Sequence, residues 1–234
     1  MAEITFRTAA ASKVIAALCD QGEDFLVGAG TILCVAQAKQ AVEAGAKFLV
    51  TPGLEQRVVD WALSHDVPII PGVVTPSEIM HALQLQCKVL KFFPSEASGG
   101  TAMLQALAGP YGDISFLPTG GIGVHNIGAY LELPQVLACG SSWICPRALI
   151  AAQQFDEITA RTQKILCAAH GFTLLHPLTG GAAEQILVGV RNLRRANAFL
   201  ASHTDQVAAE IDVDGVHIRL DPHGSKICLR EYHA

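Results

Sequence analysis

The chain has 234 residues, half of them hydrophobic and 16% charged, with 16 Lys+Arg against 21 Asp+Glu and a formal charge of −5. That is one sizeable domain, or a domain with an appendage, with enough apolar material for a large core; it excludes a disordered chain and a basic nucleic-acid binder. No apolar run reaches the roughly 18 residues a spanning helix needs, so no membrane partner is expected.

From the first residues onward the sequence alternates short apolar runs with segments of helical composition. The segment Met1 to Arg7 carries charge within three residues and reads as an entering strand rather than a secretory leader. Strands are predicted at Ile4-Thr5-Phe6, Phe25–Gly30, Phe48–Gly53, Val67–Val73, Val89–Pro94, Ile114–Thr119 and Val136–Ser141. Helices are predicted between and after them at Ala9–Leu18, Val35–Ala44, Gln56–Ser64, Pro76–Leu85, Gly100–Ala108, Val124–Leu131 and Arg147–Ala168. Thr75-Pro76-Ser77-Glu78 has the composition of a helix start. Continuously apolar strands call for parallel pairing with both faces covered, in an α/β fold. An open doubly wound sheet and an eightfold (β/α)8 TIM-type barrel both fit; glycine-rich loops near the last units favour the barrel, of which seven β–α units are visible.

After about residue 169 the rhythm changes. Gly171–Leu178 and Ile186–Val190 read as strands, Leu193–Ser202 as a helix, and Ala209–Leu220 with Lys226–Arg230 as a ribbon, with turns at Gly180-Gly181 and Asp214-Gly215. The division is therefore residues 1–169, a barrel, and residues 170–234, a small α+β tail. The seven cysteines show no CxxC spacing and read as reduced, mostly buried thiols of a cytoplasmic protein, Cys139 and Cys145 among them. The nine histidines are dispersed, and no metal or other cofactor is expected. His65, His81 and His125 read as surface or capping residues, and Trp61 and Trp143 as helix–sheet packing.

In a barrel the polar residues at strand C-termini converge on one mouth. Lys91, mid-strand in Lys88-Val89-Leu90-Lys91-Phe92-Phe93-Pro94, falls on the face opposite Leu90 and Phe92. Burying an ammonium is costly, and a neutral amine is what Schiff-base formation with a ketone needs; a lysine snorkelling to a strand end would need no such role. Glu3 and Arg7, four apart, share a strand face as proton shuttle and carboxylate clamp, or as a surface ion pair. Gly28-Ala29-Gly30-Thr31 lets a backbone approach a ligand and offers a hydroxyl, or only permits a tight turn. Thr119-Gly120-Gly121-Ile122-Gly123 and Gly140-Ser141-Ser142-Trp143 form a candidate phosphate cradle.

Glu3-Ile4-Thr5-Phe6-Arg7-Thr8, Gly28-Ala29-Gly30-Thr31-Ile32-Leu33, Thr51-Pro52-Gly53, Pro71 to Glu78, Lys91-Phe92-Phe93-Pro94, Thr119-Gly120-Gly121-Ile122 and Ser142-Trp143 occur in order. Over about residues 1–168 the chain strongly resembles the 2-keto-3-deoxy-6-phosphogluconate / 4-hydroxy-2-oxoglutarate aldolases. The resemblance implies a metal-free class I aldolase that cleaves the phosphorylated keto acid to pyruvate and glyceraldehyde 3-phosphate, with 4-hydroxy-2-oxoglutarate as a second substrate, and a homotrimer. Lys91 matches the family's Schiff-base lysine and Glu3 its general acid/base. Arg7, Thr31, Pro52, Phe93 and Thr119 match the pyruvate pocket, and Gly120, Gly121 and Ser142, with the neighbouring Ser141, the phosphate site. A 6-phosphogalactonate aldolase and a non-catalytic barrel fragment that binds keto acid or phosphate are the rival readings. Two departures stand out: the family has one more β–α unit before the Glu–Arg strand, and its Gly-Gly-Ser-Trp is Gly140-Ser141-Ser142-Trp143 here. Ile186–Val190 with Leu193–Ser202 has the shape of the missing unit. The tail also loosely resembles a glyoxalase-like extension, too short for a whole module, and no metal site is expected from His176 or Glu184.

Overall fold

A computed structural model of the chain describes residues 1–21, 25–171, 173–178, 185–190, 209–212, 215–219 and 226–231. Two compact units emerge, residues 1–122 with 129–142, and residues 123–128 with 143–234.

The first unit is built on parallel strands. β1 (Ala2–Thr5) pairs with β2 (Val27–Gly30), which pairs with β3 (Leu49–Val50), which pairs with β4 (Ile69–Ile70). β5 (Gly72–Val73) follows β4 directly and pairs with β6 (Val89–Phe92), which pairs with β7 (Ser115–Pro118). The predicted strand Val67–Val73 is thus split at Pro71, which has no N–H to donate; its carbonyl still accepts from Lys91 N at 2.9 Å. The run hands the ladder from β3 on one side to β6 on the other. The predicted strand at Val136–Ser141 survives as two parallel bridges, Phe116↔Val136 and Thr119↔Gly140. Seven parallel strand positions therefore follow one another, as the TIM-type α/β reading requires, and among the described residues no pairing closes the last back onto β1.

The helices follow from small apolar faces. α1 (Ala11–Cys19) buries Ala11 and Ile15, α2 (Val35–Glu43) buries Ala38 and Ala41, and α3 (Gln56–Ser64) buries Val58, Val59 and Ala62. α4 (Pro76–Gln84) starts where expected: Thr75 Oγ1 accepts from Glu78 N, and Glu78 Oε2 accepts from the Val74 and Thr75 N–H groups at 2.8 Å each. A 3₁₀ turn, Glu96–Ser98, leads into α5 (Gly100–Ala108). α6 (Ile127–Leu131) begins later than the predicted Val124, because Asn126 Oδ1 accepts from Gly123 N at 2.8 Å and holds a turn there. On the sheet, Phe92 and Phe116 are fully buried and meet edge to face, centroids 6.4 Å apart.

In the second unit the predicted helix Arg147–Ala168 is two helices, α7 (Arg147–Ala151) and α8 (Phe155–His170). Gln153 takes the left-handed conformation, φ +53°, and Gln154 N bonds back to Leu149 O at 2.9 Å, which ends a helix as a glycine would. β8 (Thr173–Leu178), β9 (Gln185–Val190), β10 (Ala209–Asp212), β11 (Gly215–Arg219) and β12 (Lys226–Glu231) form one sheet in the order β10-β11-β12-β9-β8. The ribbon expected to have two strands has three, because Ala209–Leu220 is divided into β10 and β11, and it continues through β12 into β9 and β8. β9 cannot serve as the missing barrel strand: β12 occupies one of its edges and β8 the other. The predicted helix Leu193–Ser202, the turn Gly180-Gly181 and Glu184 lie outside the described residues.

One further expectation needs correction. Of six cysteines with described side chains, only Cys87 is buried; Cys34, Cys145 and Cys167 are exposed, since they sit at a helix N-terminus, before α7 and on α8 rather than in strands. Trp143 lies under Arg161 of α8, whose guanidinium carbon lies 5.0 Å from the ring centre. Trp61 is half-buried and stacks on the exposed His65 at the end of α3, centroids 4.5 Å apart.

Candidate functional site

Adjacent strands lie about 4.8 Å apart, so β1 and β6, four steps apart, would be separated by roughly 19 Å in a flat sheet. Instead Lys91 Nζ of β6 stands 3.6 Å from Glu3 Oε1 of β1. The strand array must therefore curl, and the two side chains meet on its inner face. Lys91 has 6% of its side chain exposed and Glu3 26%, so the amine is enclosed while the carboxylate faces the opening. Strand alternation explains the pairing: Leu90 and Phe92 go to the opposite, fully buried face. The Phe93 ring centre lies 5.0 Å from Lys91 Nζ and covers it from the strand end.

Gly30 makes room for this contact. A Cβ at that position would stand 2.5 Å from Glu3 Cδ and 2.7 Å from Cγ, closer than real contacts allow. The glycine predicted to admit a ligand thus admits a neighbouring carboxylate. Thr31, next in sequence, holds φ at +59°. A β-branched residue there is strained by about 1–3 kcal/mol, a cost that accumulates at ligand sites.

Pro52 is held by its neighbours: fully buried Thr51 donates to Gly53 O at 2.7 Å and accepts from Gly72 N at 3.4 Å. Thr119 N donates to Phe92 O at 2.9 Å, and its side chain fills the space a Cβ at Gly140 would need. Gly120 and Gly121 turn at φ +100° and +81°, conformations open to glycine. Ser141 Oγ donates to Ile122 O at 2.7 Å, tying the two glycine-rich loops together, and Ser142 is exposed. Arg7 differs from expectation. β1 ends at Thr5, Arg7 is exposed beyond it, and strand alternation no longer places it beside Glu3.

A second cluster escaped sequence reasoning. Ser95, fully buried, donates to Tyr130 Oη at 2.9 Å, and Tyr130, also fully buried, donates to Glu96 Oε1. Burial, then the hydrogen bond to Glu96, pushes the phenol up to about 12. The available signal was a tyrosine in the otherwise apolar α6, whose hydroxyl needs a partner when buried.

Residues 1–161 match the model of a family described as KDPG and KHG aldolase. The chain is 51% identical over 164 residues to the 2-dehydro-3-deoxy-phosphogluconate aldolase of Treponema pallidum, covering 70% of this chain and 78% of that one. It is 45% identical to the Haemophilus influenzae enzyme of the same name, over 71% and 78%. Among solved structures it is similar to a KDPG aldolase from Legionella pneumophila holding pyruvate as a covalent carbinolamine, with TM-score 0.66 and 37% identity over 71% and 79% of the two chains.

Proposed function

The chain belongs to the KDPG and KHG aldolase family, and on that premise we propose that it is a class I aldolase working through Lys91. Its substrate is 2-keto-3-deoxy-6-phosphogluconate, cleaved to pyruvate and glyceraldehyde 3-phosphate, with 4-hydroxy-2-oxoglutarate, which lacks the phosphate, as a second substrate. The observation that carries this reading is the enclosed amine of Lys91 at 3.6 Å from a half-open carboxylate.

The chemistry follows from those two groups. Lys91 Nζ adds to the C2 ketone; the carbinolamine loses water and becomes an iminium. Glu3, directly or through one water, takes the C4 hydroxyl proton as the C3–C4 bond breaks, and the bonding electrons flow into the iminium. The aldehyde leaves, a proton returns to C3 of the enamine, and water releases pyruvate and the free amine. Thr31, Pro52, Phe93 and Thr119 line the keto-acid pocket and Arg7 serves its carboxylate. Gly120, Gly121, Ser141 and Ser142 receive the phosphoryl group, and the Ser141 hydroxyl, bonded to Ile122 O, ties their two loops together. We assign residues 1–169 to the aldolase barrel and residues 170–234 to a small α+β tail, and the enzyme is a cytoplasmic homotrimer, the oligomer to be read by light scattering.

Borohydride reduction with pyruvate, followed by peptide mapping, tests the assignment. The expected result is one modified peptide carrying Lys91 and no trapping in Lys91→Ala. Trapping that persists in the variant removes Lys91 from its role. No trapping in the wild-type chain favours the non-catalytic reading.

A further inference from the structure

The Ser95–Tyr130–Glu96 chain lies outside the lysine chemistry and needs its own explanation. Glu96 is exposed, so water alone would satisfy its carboxylate. Tyr130 is fully buried, and a phenylalanine would fill the same volume without a hydroxyl to desolvate. The arrangement therefore does something other than satisfy Glu96.

Its attachments indicate what. Ser95 N donates to Thr119 O at 2.8 Å and Glu96 N to Gly120 O at 3.1 Å, so this segment is bonded to the backbone of the glycine turn. The Glu96 stem packs on the turn itself: a Cβ at Gly121 would stand 2.5 Å from Glu96 Cγ and 2.6 Å from Cβ. A carboxylate thus borders the loop that receives the phosphoryl group. Left loose, it would repel a dianion; held by a hydrogen bond, its charge is engaged and its stem shapes the turn.

We propose that Tyr130 is a positioning residue for phosphoryl recognition, anchoring the Glu96 carboxylate against the Gly120–Gly121 turn. This rests on the turn being the phosphate site of the aldolase reading. The chain Ser95 O–H to Tyr130 O–H to carboxylate runs in one direction, with Ser95 orienting the phenol so that its own proton goes to Glu96.

The test titrates inorganic phosphate into the wild-type chain and three variants, and compares kcat/KM for the phosphorylated keto acid and for 4-hydroxy-2-oxoglutarate. Tyr130→Phe is expected to weaken phosphate about 10-fold and to lower the phosphorylated-to-unphosphorylated kcat/KM ratio similarly. Glu96→Asp, at an exposed position that does not endanger folding, keeps the charge but withdraws it from the phenol, and is expected to do the same. Adding Glu96→Gln to Tyr130→Phe removes the loose charge and is expected to recover most of the phosphate affinity. A purely structural tyrosine would lower both substrates together and show no rescue; that pattern, or unchanged phosphate affinity in Tyr130→Phe and Glu96→Asp, overturns the proposal. Phosphate binding is read without turnover, so a failure of pyruvate trapping falls on the Lys91 assignment and not on this one.

Discussion

Replacing Gly30 by alanine adds one methyl group and removes no functional side chain. The methyl would stand 2.5–2.7 Å from Glu3 Cδ and Cγ, where contacts between carbons normally settle near 3.5–4.0 Å. Glu3 must move by about 1 Å or more, and a misplacement of that size costs on the order of 100-fold in rate. The ceiling is the whole contribution of a general acid/base, about 10²–10⁴-fold. We therefore predict that Gly30→Ala lowers kcat by at least about 100-fold, roughly 2.7 kcal/mol. Stability should change less, because Glu3 is partly exposed and can swing outward. A loss near the low end of the usual 1–3 kcal/mol for overpacking is expected. The decisive assay is a double-mutant cycle on kcat. If the methyl acts by evicting Glu3, then Gly30→Ala costs almost nothing further in a Glu3→Ala background, and the coupling energy equals its single-mutant effect. Independent, multiplicative effects would refute the reasoning, as would a Gly30→Ala enzyme within about threefold of wild type, against the 100-fold expected.

Thr31→Gly relieves about 1–3 kcal/mol of backbone strain and loses about 0.5–1 kcal/mol to the freer unfolded chain. The melting temperature should rise by a few degrees while KM for the keto acid increases several-fold; a fall in melting temperature would contradict the strain. Glu78→Gln disturbs the capping box of α4 and should cost about 1 kcal/mol at neutral pH. Burial works against the Glu78 carboxylate, but the N–H groups of Val74 and Thr75 and the Thr75 hydroxyl outweigh it and hold its pKa below the ordinary value. A lowered folded-state value gives stability that is present above the unfolded value and lost as pH falls through the folded one. The wild-type advantage over Glu78→Gln should therefore shrink in acid, and denaturation curves in which it persists far below that range would refute the account.

Much of the barrel was legible because its signals are local. Thr75 to Glu78 announces a capped helix within four residues, and α3 and α5 begin and end where composition places them. Lys91 stands out because a charge in an apolar strand conflicts with its surroundings, and the glycines of β2 and the glycine-rich loop after β7 are visible as composition. Where local signals compete, the reading slipped. Gln153 ends α7 in a conformation that composition assigns to glycine, and Arg7 falls past the end of β1, where alternation stops applying. The burial expected of the cysteines failed because Cys34 and Cys145 fall in bends just before helices and Cys167 on an exposed face of α8.

The sequence by itself determined the βα alternation, the family, the lysine proposed as nucleophile and the loops proposed around it, since each is carried by neighbouring residues. Tertiary structure alone decided that Glu3 and Lys91, 88 positions apart, meet at 3.6 Å, because that contact depends on how far the strand array curls. It also decided that Gly30 serves Glu3, that Tyr130 reaches Glu96, and that β9 is already paired on both edges. Hydrogen-bond partners and close approaches between distant segments leave no mark on local composition, which is why Lys91, Glu3 and Phe93 stood out singly in the sequence while the contacts that join them did not.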